Sequence, residues 1–119
     1  MKQKGCISMI EAVYSTGSDR VFHFGGLYDV LPAQYQPLTV EGNEAAFFFD
    51  LFRQHGILLS RNGQRQPDGD LEYPCSFDGI RFTMINDVYN NFVHFEVDDP
   101  SRRKTLAQKL RDLIIRAAQ

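Results

Sequence analysis

The hydrophobic pattern is clearest in residues 43–55, where it predicts an α-helix. Apolar side chains recur at the i, i+3, i+4 and i+7 positions that share one side of a helix, and this stripe consists of Ala45, Phe48, Phe49 and Phe52. Asn43 is a favourable N-cap, and Gly56 can adopt the left-handed conformation that often ends a helix. The stretch therefore carries its own start, its own end and an apolar side.

The apolar side of this helix is unusually wide. Phe47 and Leu51 extend the stripe to an arc of roughly 200°, whereas about 100° is enough for a surface helix to contact its core. We therefore expect either that protein covers more than one side of the helix or that one flank contacts a partner.

A second helix is predicted over residues 100–117. Asp99 can cap it, and Pro100 suits the first helical position because its missing N–H would have no partner there. Its apolar stripe consists of Leu106, Leu110, Leu113 and Ile114.

Short β-favouring runs separated by turn signals predict a mostly antiparallel sheet of about five strands. The candidate runs are residues 6–14, 21–24, 57–59, 71–76, 80–85 and 92–97, with a further short run at 38–40. No repeat or linker divides the chain, so we predict one α+β domain over residues 1–119 with the two helices packed on the sheet.

Two predicted loops differ in polarity. Residues 60–70 are polar and rich in turn signals, so we expect them to be exposed and mobile. Residues 27–42 contain two prolines but are unusually apolar, because they include Leu27, Tyr28, Val30, Leu31 and Tyr35. We expect this second loop to pack on the body of the domain or to form a binding surface.

Composition and charge are those of an ordinary globular protein. The chain has 119 residues, 43% of them hydrophobic, and a net charge of -2. The sequence pI of about 5.9 gives no support to nucleic-acid binding, which usually requires a basic domain. Glu11 interrupts the N-terminal stretch before an apolar run long enough for a signal peptide, so we expect a cytoplasmic protein that does not span a membrane.

The titratable side chains offer one candidate pocket. His94 and Glu96 alternate on one predicted strand face, and His23 could join them if the hairpins pair suitably, with Cys75 nearby. Two histidines and a carboxylate could hold a metal, but they lack ligand spacing, so structural roles are preferred and we expect no metal or cofactor. Cys6 and Cys75 are expected to be reduced thiols, and a disulfide between them is the alternative.

One local feature contradicts the helix-dipole rule. Arg102, Arg103 and Lys104 fall in the first turn of the predicted C-terminal helix, where cations are disfavoured. They could form an anion-binding site together with the amides at the helix start. The alternative, which we prefer, is neutralisation by the nearby carboxylates Glu96, Asp98 and Asp99.

No catalytic motif accompanies these features, so we predict a non-catalytic protein that binds another protein. Its size resembles that of small inhibitors and toxin-neutralising immunity proteins, a resemblance of class that no motif carries. The candidate anchors for the partner are Tyr28, Leu31, Tyr35, Asp87 and Asp98. The alternatives, in order, are a ligand-binding domain or small enzyme around His23, His94, Glu96 and Cys75, and a nucleic-acid or phospholigand binder that uses Arg61, Arg65 and the three basic residues 102–104. The wide apolar helix could equally form a homodimer seam.

Overall fold

Six strands form one antiparallel sheet in the computed structural model, which describes residues 10–36, 43–90 and 92–118. The strands are β1 (Glu11–Tyr14), β2 (Val21–Gly25), β3 (Gln64–Arg65), β4 (Leu71–Phe77), β5 (Ile80–Asp87) and β6 (Phe92–Val97), in the order β1-β2-β6-β5-β4-β3. All five pairings between neighbouring strands are antiparallel. The α+β prediction is confirmed, with six strands where about five were expected.

Both predicted helices are present. In α1 (Glu44–Gln54), the Asn43 side chain accepts a hydrogen bond of 3.2 Å from the Ala46 amide, which is the N-cap that the sequence indicated. The second helix begins with a 3₁₀ turn, Pro100–Arg102, and continues as α2 (Arg103–Ala118). Among the described residues, neither helix nor any 3₁₀ turn is long and apolar enough to cross a bilayer.

The core lies between the two helices and one face of the sheet. Phe48 and Phe52 of α1 contact Phe95 of β6, with ring centroids 5.1 and 6.0 Å apart, and Phe52 also contacts Phe82 of β5. The buried stripe of α2 joins the same cluster. Because strand side chains alternate between faces, every second residue of the central strands points into this core.

Protein covers both flanks of the wide apolar side of α1. The ring of Phe47 packs against Tyr35 at 5.4 Å, and the ring of Phe49 packs against Tyr73 at 5.8 Å. Leu27 and Leu31 are also buried in the core, so the described part of the apolar loop packs on the body of the domain.

Two local predictions about strands were wrong. Residues 57–59 form only an isolated bridge between Leu58 and Cys75, because the chain leaves α1 at Gly56 and turns away after two backbone hydrogen bonds to β4. Conversely, β3 lies inside the polar stretch 60–70, which was expected to be a loop. This edge strand has only two residues and pairs with β4 through its backbone, so it needs no apolar side chains. Cys6 and the short run predicted at 38–40 lie outside the described residues.

Candidate functional site

The face of the sheet that points away from the helices is the candidate site, and we call it the open face. Strand alternation places on it the residues that lie between the core positions of β1, β2, β5 and β6. The open face is defined here by Val13, Val21, His23, Thr83, Ile85, Phe92, His94 and Glu96. None of these residues belongs to the core cluster.

The centre of the open face is aromatic and apolar. The Phe92 ring lies between two histidines, with centroids 4.9 Å from His23 and 5.5 Å from His94. A groove of about 460 Å³ runs past these rings and is also lined by Val13 and Val21. Val13 is 43% exposed, so an apolar side chain remains in contact with water at the edge of the groove.

Ile85 extends this apolar centre towards β4. It is only 6% exposed although it lies on the open face and outside the core. In the sheet register it stands opposite His94 on one side and Glu72 on the other. A second, small apolar cluster therefore exists on the face that the helices do not cover.

The two histidines are partly withdrawn from water. Burial lowers the pKa of His23 below its ordinary value, and the neighbouring His94 lowers it further. The Nδ1 atom of His94 is buried and has no hydrogen-bond partner among the described residues. No group of three or more His, Cys, Asp or Glu residues within the described ranges could hold a metal ion.

One end of the open face is strongly acidic, and we call it the acidic end: Asp68, Asp70, Glu72 and Asp87. Burial raises the pKa of Glu72 above its ordinary value, and the Glu96 carboxylate raises it further. Burial and then Asp68 likewise raise the pKa of Asp70. The pKa of Asp87 is lowered instead, because Asn90 donates hydrogen bonds to its carboxylate. The acidic end thus holds carboxylates that repel one another.

Exposed apolar side chains flank the acidic end. Tyr89, in the turn between β5 and β6, is 81% exposed, and its neighbour Val88 is 40% exposed. The Tyr89 ring lies so close to Gly69 that a Cβ atom there would be 2.5 Å from the ring carbon Cε2. Sequence reasoning missed Tyr89, whose only local signal is an aromatic residue within a polar turn.

The opposite end of the open face carries balanced charge. A groove of about 430 Å³ there is lined by Arg20, Thr83, Glu96 and Asp98, and Arg81 lies at the same end of β5. Arg20 donates a hydrogen bond to the carbonyl oxygen of Asp98. This end of the open face therefore carries two arginines and two carboxylates.

The structure does not bring the five predicted partner anchors together. Leu31 is buried in the core, and Tyr28 and Tyr35 are half-buried in 3₁₀ turns at Tyr28–Val30 and Ala33–Tyr35, where the Tyr35 hydroxyl donates to Asp50 of α1 at 2.7 Å. Asp87 belongs to the acidic end, whereas Asp98 lies at the opposite end of the open face. Only the acidic residues of that set are on the open face.

The residues of the alternative pocket also separate. His23, His94 and Glu96 share the open face, but Cys75 is fully buried on the other side of the sheet, and burial raises the pKa of its thiol to about 12. None of these four side chains hydrogen-bonds another of the set within the described chain. The structure therefore brings three of the four predicted residues to one face and separates Cys75 from them.

The basic triplet does not converge on an anion. Arg103 donates from Nη1 to the carbonyl oxygens of Ser18 and Val21, at 2.8 and 3.1 Å, and its guanidinium lies over the Tyr14 ring. Arg102 and Lys104 are exposed. Arg103 holds the β1–β2 hairpin to the start of α2, which explains its own position at a helix N-terminus. Hydrogen bonds from Ser101 lower the pKa of the Asp99 carboxyl and the charge of Arg102 lowers it further, so neutralisation of Arg102 by a nearby carboxylate stays a prediction.

Comparison of the chain with protein-family models, with curated proteins and with solved structures finds no match. The geometry of the open face is therefore the basis for a functional assignment.

Proposed function

We propose that this protein is a non-catalytic protein-binding domain that contacts its partner through the open face of the sheet. The observation that carries the proposal is the apolar surface on a face without helices, with Ile85 and Phe92 at its centre and Val13 at its edge. Aromatic residues with a charged rim are typical of protein interfaces. By function class the protein would be a small inhibitor or an immunity-type protein that acts in the cytoplasm.

The sheet pattern supports this proposal over a purely structural role for the open face. An antiparallel sheet with one solvated face normally alternates apolar residues inside with polar residues outside. Here the outward positions 13, 21, 85 and 92 are apolar, and Val13 is 43% exposed. An apolar side chain that stays exposed, as Val13 does, contributes little to folding, whereas its burial against a partner would contribute to affinity.

A small-molecule ligand is the second candidate. The groove of about 460 Å³ that His23, Phe92 and His94 line supports it, because aromatic walls with a few polar groups are typical of ligand pockets. Loss of ligand-dependent thermal stabilisation in His94→Gln, with no effect on protein partners, would favour this candidate.

The test of the proposal is capture of a partner with a matched set of baits. Tagged wild-type protein, Val13→Ser, Val13→Ile and Lys104→Ser are compared in lysate of the source cells, and the complex is then purified for affinity measurements. Val13→Ser should raise the Kd about tenfold, because it removes an apolar contact at the interface. Val13→Ile keeps that contact and Lys104 is exposed on the helical side, so both should bind as the wild type does.

Light scattering on the purified chain accompanies this experiment. A dimer that Val13→Ser dissociates would identify a second copy of the chain as the occupant of the open face. Equal binding by all four baits would show that the open face is not the interface and would overturn the proposal.

A further inference from the structure

We propose that the partner presents a cationic surface to the acidic end of the open face, with arginine or lysine side chains next to an apolar group. This inference rests on the proposed function, since it specifies the chemistry of the protein that the open face would bind. The inference follows from the negative charge of the acidic end, which a positively charged partner surface would complement.

No ion pair within the described chain neutralises the negative charge of the acidic end. The ion pairs of the described residues are Arg53 with Asp50 and Lys109 with Asp78, and neither involves Asp68, Asp70, Glu72 or Asp87. Arg65 is the nearest basic residue along the chain, and its Nη1 donates to the Gly69 carbonyl at 3.0 Å. Attraction to His94 offsets part of the charge on Asp70, Glu72 and Asp87, and a partner is the available source of the remaining positive charge.

The raised pKa values of Asp70 and Glu72 also indicate that the acidic end lacks compensating positive charge. Burial is the largest cause of both raised pKa values, neighbouring carboxylates raise them further, and His94 lowers them. A bound cation would reverse this effect by favouring the ionised forms. Perturbed carboxylates of this kind are more frequent at functional sites than elsewhere.

The apolar groups beside the acidic end fit an arginine or lysine better than a small inorganic cation. The aliphatic stem of either side chain can lie along apolar surface, and a guanidinium can stack on an aromatic ring. Tyr89, which is 81% exposed and packs against Gly69 between Asp68 and Asp70, and Val88, which follows Asp87, supply that surface. Their position favours a cationic segment of a protein.

A second copy of the chain is a poorer occupant. Face-to-face stacking would bring the acidic end against another acidic end or against the opposite end of the open face. The opposite end has two arginines, Arg20 and Arg81, and two carboxylates, Glu96 and Asp98, so it offers no excess of positive charge. A separate basic protein would neutralise the negative charge of the acidic end more completely than a second copy of the chain would.

The first experiment uses defined peptides and the whole protein. A peptide with two arginines between two phenylalanines, and a matched peptide with two glutamates in place of the arginines, are titrated into ¹⁵N-labelled protein at about 20 mM and about 200 mM salt. We expect the cationic peptide to shift amide resonances around Glu72, Asp87 and Tyr89, and the shifts to weaken at the higher salt. Equal shifts from the acidic peptide, or shifts that map to the helices, would overturn the inference.

The second experiment uses charge variants in the natural complex. Glu72→Gln should raise the Kd about threefold to tenfold, because it removes one charge without changing shape. At Thr83, which lies on the open face two residues from Ile85 and lines the groove at the opposite end, Thr83→Arg should weaken binding more than Thr83→Glu, although both new side chains are large. Circular dichroism of each variant confirms that the fold is retained before affinities are compared.

These outcomes separate the two proposals. If Val13→Ser weakens the complex but Glu72→Gln and added salt do not, the open face binds a protein and the cationic partner is wrong. If Val13→Ser has no effect, the proposed function itself is wrong. A homodimer that Val13→Ser dissociates would also overturn the cationic partner.

Discussion

The guanidinium of Arg103 lies 4.9 Å from the centroid of the Tyr14 ring and connects the first turn of α2 to the β1–β2 hairpin. The same group donates hydrogen bonds to three backbone carbonyls, those of Ser15, Ser18 and Val21. The hairpin is short, and β1 is an edge strand, so this contact is a major part of what holds β1 in place.

Arg103→Ala should therefore lower the free energy of unfolding by about 2 kcal/mol, since hydrogen bonds from a charged donor contribute more than neutral ones. The neighbouring exposed variant Lys104→Ala serves as the control and should change it by less than about 0.5 kcal/mol. Urea unfolding followed by circular dichroism measures both. Equal stabilities of the two variants would show that the Arg103 contacts are not stabilising.

Arg103 also illustrates what the sequence could and could not predict. Its place in the first helical turn was visible as a broken rule, but the carbonyls it contacts come from a distant part of the chain. Helix α1 was predictable because its cap and apolar stripe are local. Strand β3 was not, since a polar edge strand has no hydrophobic signal.

The open face was predictable only where it depends on a local pattern. Alternation within β6 placed His94 and Glu96 together from the sequence alone. The approach of His23 depends on the pairing of β2 with β6, and the contact of Tyr89 with Gly69 depends on two turns that meet only in the folded domain. Local patterns carry no information about such pairings.

Gly69→Ala should weaken partner binding by displacing Tyr89. Its Cβ atom would lie 2.5 Å from the ring, and its φ of 95° is a conformation that alanine rarely adopts. Gly79→Ala is the matched control, because its φ is 80° but no atom lies within 4 Å of the added Cβ. Both variants should lose about 1 kcal/mol of stability from backbone strain.

Only Gly69→Ala should alter the Tyr89 ring resonances and raise the Kd for the partner, because the exposed ring can move aside at little cost to folding. Thermal melts and two-dimensional NMR distinguish the two effects. If both alanine variants bind the partner equally well, Tyr89 is not a contact residue.

Cys75 should be inert towards thiol reagents in the folded protein. It is fully buried, and burial raises the pKa of its thiol to about 12, so the reactive thiolate is scarce at neutral pH. In a Cys6→Ser variant, which leaves Cys75 as the sole cysteine, labelling by a chromogenic disulfide should require unfolding. Rapid labelling under native conditions would mean that the β4 region opens frequently.

Glu44, in the first turn of α1, should make stability depend on pH. Burial raises the pKa of this carboxyl from its ordinary value of 4.5 to about 7. The folded state therefore holds a proton that the unfolded state releases, so unfolding becomes easier as the pH rises from about 4.5 through about 7. Above about pH 7 the carboxyl is ionised in both the folded and the unfolded state. The burial of this charged group then destabilises the folded state.

Glu44→Gln removes this cost and should be more stable than the wild type by about 2 kcal/mol at pH 8. The advantage should disappear at pH 4, where the carboxyl is protonated in both states. Glu11→Gln, at an exposed position on β1, is the control for the removal of one carboxylate. Urea titrations of the three proteins across this range measure the effect, and a constant difference between Glu44→Gln and the wild type would show that Glu44 titrates normally in the folded state.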